Sequence, residues 1–262
     1  MLEGTAVSCV MVTSAVPART ALLARSLACY RHQTYRTREL VVVLDRKSET
    51  AESELTALLR SLESDEVRLI VPPAGLSLGA LRNIGSAEAR GAILCQWDDD
   101  DLHHPERVER QLKALTEAKA EAVCLEEVMH LFATERTLSC TNWRSTETGG
   151  LPGTLLWRSD TPAAYPETGP ASRLGEDSAL VVQFRERGTL HPLAGFAHLY
   201  IYVSHGANSW GDEHHRMLVT KLGLSQGLLR RREAELRKGL AAFHFGAGEL
   251  TVQGYNGPAF TL

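Results

Sequence analysis

Through the first hundred residues, unbroken apolar runs alternate with stretches whose apolar residues recur every three or four positions. Residues 7–13 form the first run, rich in β-branched side chains, and residues 14–20, with Pro17, read as a turn. Leu23, Leu27 and Tyr30 follow at helical spacing. Residues 40–44 are solidly apolar and stop at Asp45, the pattern of a strand buried on both faces. Leu55, Leu58, Leu59 and Leu62 predict the next helix, and residues 67–71 the next strand. Pro72-Pro73-Ala74-Gly75 breaks the chain before a helix over about 79–90, and residues 92–97 predict a fourth strand. Strands and helices alternating over short links build a parallel sheet covered by helices.

Beyond Pro105 the pattern changes. Val108, Leu112 and Leu115 predict a helix, and residues 122–129 one strand. Residues 141–175 are rich in Thr, Ser, Gly and Pro and hold Trp143 and Trp157. That is too long for an idle connection, so the segment is expected to be a binding loop or to contain short strands. Leu174-Gly175-Glu176-Asp177 leads into a helix over 178–187, and a strand over 197–203 ends in Ser204-His205-Gly206. A last helix over about 228–243 carries the apolar stripe Leu229, Leu236, Leu240 and Phe243, with a basic opposite face.

At 262 residues with net charge −4, the chain is long enough for one large core and lacks the basic balance of a general nucleic-acid binder. The five cysteines are odd in number and show no C-x-x-C spacing. Cys9, Cys95 and Cys124 fall inside apolar runs, which predicts buried thiols in a reducing compartment and no zinc knuckle. No basic segment followed by an apolar stretch opens the chain, and no run nears the ~20 apolar residues of a membrane span. The expected location is cytoplasmic.

The fourth apolar run ends in four consecutive carboxylates, Asp98, Asp99, Asp100 and Asp101. Adjacent negative charges repel, so keeping all four ionised needs a nearby cation or abundant water. In an extended chain Asp98 and Asp100 share one face, and Asp99 and Asp101 the other. Carboxylates at i and i+2 on the tip of a buried strand make an oxygen-rich site for Mg²⁺ or Mn²⁺. The competing reading is a solvated acidic turn ahead of the helix after Pro105, where negative charge is favoured. Thr13, Asp45 and the tetrad all stand at predicted carboxyl ends of strands, the edge where open α/β sheets bind ligands. That convergence favours the site.

Five segments, taken in chain order, resemble the motifs of family 2 glycosyltransferases. They are Val7-Ser8-Cys9-Val10-Met11-Val12-Thr13; Gln33-Thr34-Tyr35 with residues 39–45; Leu81-Arg82-Asn83-Ile84-Gly85 with Ala89-Arg90-Gly91; Asp98-Asp99-Asp100-Asp101-Leu102 with Pro105; and Gly175-Glu176-Asp177. The resemblance covers about residues 5–180. It departs after Asp45, where Arg46-Lys47 precede Ser48 in place of the usual Gly or Asn. It implies the GT-A fold of nucleotide-sugar diphospho transferases, an α/β, Rossmann-like, mostly parallel central sheet with helices on both faces. That domain is expected over residues 1–215, with a nucleotide-binding half at about 1–102 and an acceptor-binding half at about 103–215. A C-terminal helical extension is expected over 216–262.

The resemblance further implies a nucleotide-diphosphate sugar donor, expected to be UDP-linked, a hydroxyl acceptor, and Mn²⁺ or Mg²⁺ as cofactor. Thr13 and Asp45 would contact the base, Arg82 the base or diphosphate, and Asp98 and Asp99 the ribose and donor sugar. Asp100 would hold the metal and His205 would complete its shell. Asp177 would deprotonate the acceptor hydroxyl, and a single attack opposite the leaving diphosphate inverts the anomeric centre.

Duller roles compete with these. Asp45 could simply end its strand in a turn, though its neighbours favour the ligand role. Arg82 reads equally as a solvated helix arginine. Glu176-Asp177 could be only an acidic helix start, though Gly175 and the motif order favour catalysis, with Glu176 the nearest alternative base. His103 and His104 read as surface residues of the turn, and His214-His215 as a polar helix start. For the whole chain the alternatives are a non-catalytic nucleotide-sugar-binding module and a sugar nucleotidylyltransferase. Residues 14–19 lack the glycine-rich basic signature of the latter.

Overall fold

The computed structural model describes residues 4–14, 19–46, 59–60, 62 and 64–262. Strands β1 (Val7–Ser14), β2 (Arg38–Asp45), β3 (Val67–Ile70) and β4 (Ile93–Gln96) follow the predicted order, with helices α1 (Thr20–Arg31) and α2 (Leu78–Glu88) among them. The turn at Pro17, Leu55 and Leu58 of the predicted helix, and Lys47 and Ser48 lie outside the described residues. After β4 come β5 (Leu102–His103), α3 (Arg107–Ala118), β6 (Ala122–Leu125), β7 (Glu127–Phe132), β8 (Thr137–Asn142) and β9 (Leu151–Arg158). The chain continues through α4 (Glu176–Glu186), β10 (Leu190–Leu193), β11 (Tyr200–Ser204) and α5 (Asp212–Leu222). It closes with α6 (Gln226–Arg231), α7 (Glu233–Leu240), β12 (Thr251–Gly254) and β13 (Gly257–Thr261).

Seven strands form a sheet in the order β10-β6-β9-β4-β1-β2-β3. β1 lies parallel between β2 and β4, β3 extends it beyond β2, and β9 runs antiparallel between β4 and β6. The continuous apolar runs serve two cores at once. Cys9, Met11, Val42 and Leu44 face α1 and α3, meeting Leu23, Leu27, Tyr30, Val108 and Leu112. Val41 and Val43 face the other side against Leu81 of α2, and Val10 joins Leu180 and Phe184 of α4 there. Each fully buried side chain of this size contributes roughly 1.5–3 kcal/mol. Gly85 lets α2 lie close to the sheet, because a Cβ there would stand 2.5 Å from a Val10 methyl and 2.9 Å from one of Val43.

The second sheet holds six strands in the order β13-β12-β8-β7-β11-β5. Here the structure corrects several expectations. Residues 122–129 are two strands, since the chain leaves the first sheet after Leu125 and enters the second at Glu127. Both flanks are buried, so hydrophobic periodicity carries no mark of the switch. The segment 141–175 does contain a strand, as one of its two expected readings had it, but that strand, β9, is inserted within the first sheet, a place not foreseen.

The predicted helix over 228–243 is two helices that break at Arg232, whose guanidinium lies 2.9 Å from Glu127. Their stripe, Leu229, Leu236 and Leu240, covers Met129, Leu138 and Ile201 of the second sheet. Residues 216–262 are therefore not a purely helical extension: β12 and β13 join that sheet beside β8, and the 215/216 boundary falls inside α5. Cys9, Cys95 and Cys124 are buried as expected, and Cys140 with them. Among the described residues, no helix is long and apolar enough to cross a membrane.

Candidate active site

The carboxyl ends of β1, β2 and β4 open on a cavity of about 460 Å³ that extends to the start of α4 and to β11. Asp45, Asp98, Asp99 and Asp100 line it on the strand edge, and Glu176 and Asp177 on the far side. The acidic tetrad is not extended. β4 ends at Gln96 and residues 99–101 form a bend, so the side chains pair as Asp99 with Asp100 and Asp98 with Asp101, not by strand alternation.

The bend is pinned through its backbone. Ser26 Oγ donates to the Asp98 carbonyl at 2.9 Å, Arg25 to the Asp100 carbonyl at 2.9 Å, and His103 Nε2 lies 3.1 Å from the Asp98 carbonyl. His103 is 1% exposed and stacks on Trp97 with ring centroids 3.8 Å apart. His104 is buried too, so the expectation of two surface histidines fails. β5 pairs with β11 and draws this turn inward, a contact with no local signature in the sequence.

Each carboxylate of the tetrad has its own compensation. Asp98 accepts from Arg82 at 3.0 Å and from the Tyr200 hydroxyl at 3.3 Å. Gly153 permits that approach, since a Cβ there would stand 2.8 Å from the Asp98 carboxylate. Asp99 accepts from the Thr13 hydroxyl at 2.5 Å and from both prongs of Arg19. Asp100 meets Arg19 Nη2 at 2.9 Å and His205 Nε2 at 3.1 Å. Burial opposes its charge, but His205 and Arg19 outweigh burial and hold its carboxyl below the ordinary range.

Asp101 is fully buried, bonded to the Tyr200 hydroxyl and, at 2.7 Å, to the Val203 amide. Burial, reinforced by Asp100 and Asp98, pushes its carboxyl well above the usual range. Two arginines, and an Asp101 carboxyl that burial makes slower to ionise, thus relieve the repulsion of four adjacent carboxylates.

Thr13 is turned from the cavity into this network, while Val12 and Ser14 reach the cavity wall. Asp45 does line it, accepting from the Ser14 hydroxyl at 3.1 Å. Arg82 is buried and spans the two walls, donating to Glu176 at 2.8 Å and to Asp98 at 3.0 Å. Gly175, at φ +86°, supplies the left-handed turn that starts α4 and aims both acids inward. Asp177 accepts the Ser178 amide at 2.7 Å, and burial together with the charge of Glu176 pushes its carboxyl up to about 6. A carboxylate with that pKa is matched to general-base work near neutral pH. Glu176, tied to Arg82, is not free for it.

His205 Nδ1 accepts the Ala207 amide at 3.3 Å, which assigns the ring proton to Nε2, facing Asp100. Among the described residues no three His, Cys, Asp or Glu side chains already form a metal cage. Asp100 and His205 nonetheless stand together as an oxygen and a nitrogen donor, a set that suits Mn²⁺ once the histidine turns its lone pair inward.

Nothing in the sequence marked Arg19 or Tyr200 for the site, nor Trp210 for its mouth, whereas Trp143 lies in the segment expected to be a binding loop or to contain short strands. Trp210, 39% exposed, stacks on His214 with centroids 4.2 Å apart, and Trp143 also lines the cavity. His214 does open a helix, whereas His215 beside it is buried against His130 and Tyr202.

The sequence profile described as glycosyl transferase family 2 matches residues 12–158, more than half of the chain. The chain belongs to that family. It is a glycosyltransferase, and its fold is the GT-A fold. The match takes in the acidic tetrad and Arg82 and ends before Asp177 and His205. Among solved structures, S. aureus TarS 1-349 in complex with UDP-GlcNAc is similar at TM-score 0.58 and 12% identity, over 90% of this chain and 73% of that one. Mannosyltransferase PcManGT from Pyrobaculum calidifontis, in complex with GDP-Man and Mn²⁺, is similar at TM-score 0.57 and 17% identity, over 88% of this chain and 64% of that one. No curated protein matches the chain.

Proposed function

We propose that this family member moves a sugar from a nucleotide-diphosphate donor, UDP-linked, onto an acceptor hydroxyl with inversion at the anomeric carbon. The observation that carries the reading is one cavity with charge-compensated carboxylates on one wall and a proton-accepting carboxylate, Asp177, on the other. Complexes of the structural relatives with UDP-GlcNAc and with GDP-Man and Mn²⁺ support the donor class.

Asp45, beside Ser14 at the strand edge, is assigned to the nucleoside, and Asp98 and Asp99 to the ribose and donor sugar. Thr13 acts through Asp99, whose carboxylate it orients. Asp100 and His205 are assigned to hold Mn²⁺ or Mg²⁺, which when bound offsets the charge gathering on the departing diphosphate. Arg82 keeps Asp98 and Glu176 in place. Asp177 takes the acceptor's proton as its oxygen attacks the anomeric carbon from the face opposite the diphosphate, so one displacement inverts the centre. The buried free thiols fit a reducing compartment, and we assign the protein to the cytoplasm.

The test is a thermal-shift panel of nucleoside diphosphates and sugar nucleotides, with Mn²⁺ and with EDTA. A ligand at ~100 times its Kd stabilises the fold by ~2.7 kcal/mol. A shift with UDP that requires Mn²⁺ supports the reading, and equal indifference to every nucleotide overturns it.

A further inference from the structure

Asp100, on which the proposed metal site depends, and its neighbour Asp99 already grip a cation of the chain's own. Arg19, just ahead of α1, meets both oxygens of Asp99 through Nε and Nη2, and the same Nη2 lies 2.9 Å from Oδ2 of Asp100. His205 Nε2 reaches that Oδ2 at 3.1 Å. The oxygen best placed to bind a metal is thus engaged from two sides.

A small divalent cation sits about 2.0–2.1 Å from a carboxylate oxygen. At that distance it would crowd a guanidinium bonded to the same atom, and two like charges in so small a space repel strongly. Both cannot hold Asp100 together. The Arg19 side chain is 19% exposed and lines the cavity, so its guanidinium has room to turn. The strongest anion that enters is a nucleoside diphosphate, whose oxygens a planar two-pronged donor fits.

We propose that Arg19 is a place-holding cation: it neutralises Asp99 and Asp100 until metal and nucleotide bind, then turns onto the diphosphate. The proposal rests on reading Asp100 as the metal ligand. Arg19 therefore opposes metal binding and favours nucleotide binding, so one substitution moves the two affinities in opposite directions.

The experiment measures Mn²⁺ affinity without nucleotide, from the electron paramagnetic resonance signal of free Mn²⁺, and UDP affinity in saturating Mn²⁺ by titration calorimetry. Arg19→Gln is expected to bind Mn²⁺ about 10-fold more tightly and UDP about 10- to 100-fold more weakly, the scale of one or two charge-assisted hydrogen bonds. Arg19→Lys keeps the charge without the fork and is expected to move both affinities the same way by less. Should the Gln variant not fold, a Lys variant identical to the parent in both measurements overturns the proposal. Mn²⁺ binding in Arg19→Gln that is unchanged or weaker overturns the competition, and unchanged UDP binding overturns the move to the diphosphate. If neither parent nor Gln variant binds Mn²⁺ while both bind UDP equally, the metal reading fails along with it. Mn²⁺ binding by the Gln variant alone is the strongest support for the competition.

Discussion

The two walls of the cavity carry the same functional group in opposite circumstances. On the strand edge Asp98, Asp99 and Asp100 each meet an arginine, and Asp100 a histidine as well. Across the cavity Asp177 has the Ser178 amide, while Arg82 spends both prongs on Glu176 and Asp98. Asp100, held charged by His205 and Arg19, suits binding of cations and polar ligands, whereas burial raises the Asp99 carboxyl in spite of its arginine. Asp177, buried beside the charge of Glu176, holds its proton to higher pH and suits proton transfer. The difference arises from what surrounds each acid: His205 and Arg19 beside Asp100, burial and the charge of Glu176 beside Asp177.

The sharpest way to break this contrast is Asp177→Asn, which keeps the shape and removes the proton acceptor. Transfer is expected to fall by about 10²–10⁴-fold, with UDP affinity in Mn²⁺ nearly unchanged. Joint loss of binding and turnover makes Asp177 structural, and full transfer removes it as the base.

Arg82→Ala strikes the residue that ties the two walls together. It leaves Glu176 and Asp98 without their cation, and the expected loss is about 3 kcal/mol in urea unfolding at pH 7.5. A loss below about 1 kcal/mol, the scale of a surface pair, means that Arg82 does not hold the two walls together.

Asp100→Asn probes the compensated wall. UDP affinity is expected to drop by about 10-fold or more in Mn²⁺ and to stay level in EDTA. Equal losses in both conditions point to a direct nucleotide contact in place of a metal.

The smallest effects come from pH. Because the base works ionised, turnover is expected to rise with pH through about 6 and then level off. For stability the sign runs the other way. Asp177 titrates higher in the folded chain than its ordinary 3.8, so its favourable contribution is present below that value and lost as pH rises through about 6. Asp177→Asn escapes the cost of that buried charge. It is expected to be about 1–2 kcal/mol more stable than the parent at pH 7.5, the half-buried position discounting the full shift, with the gap closing toward pH 4. A gap that stays constant with pH removes the raised pKa as its cause.

Much of this was legible in the chain. The apolar runs that stop at Thr13, Asp45 and Trp97 declare strands whose interiors are buried on both faces, because continuous apolar sequence has no other stable place in water. Polar endings on parallel neighbours must share an edge, so the sequence determined the sheet's first four strands, the cavity's location and the nearness of Asp45, Asp98 and Asp100. What tertiary structure alone decided is how the charges are paired. Nothing local tells Arg19 to grip Asp99, Arg82 to bridge Asp98 and Glu176, Tyr200 to seal Asp101, or His103 to slide under Trp97, because those partners lie far apart in the chain and meet only through packing. The switch between sheets at Glu126 and the insertion of β9 were hidden for the same reason: periodicity reports that a face is buried, and burial looks alike whichever sheet supplies it.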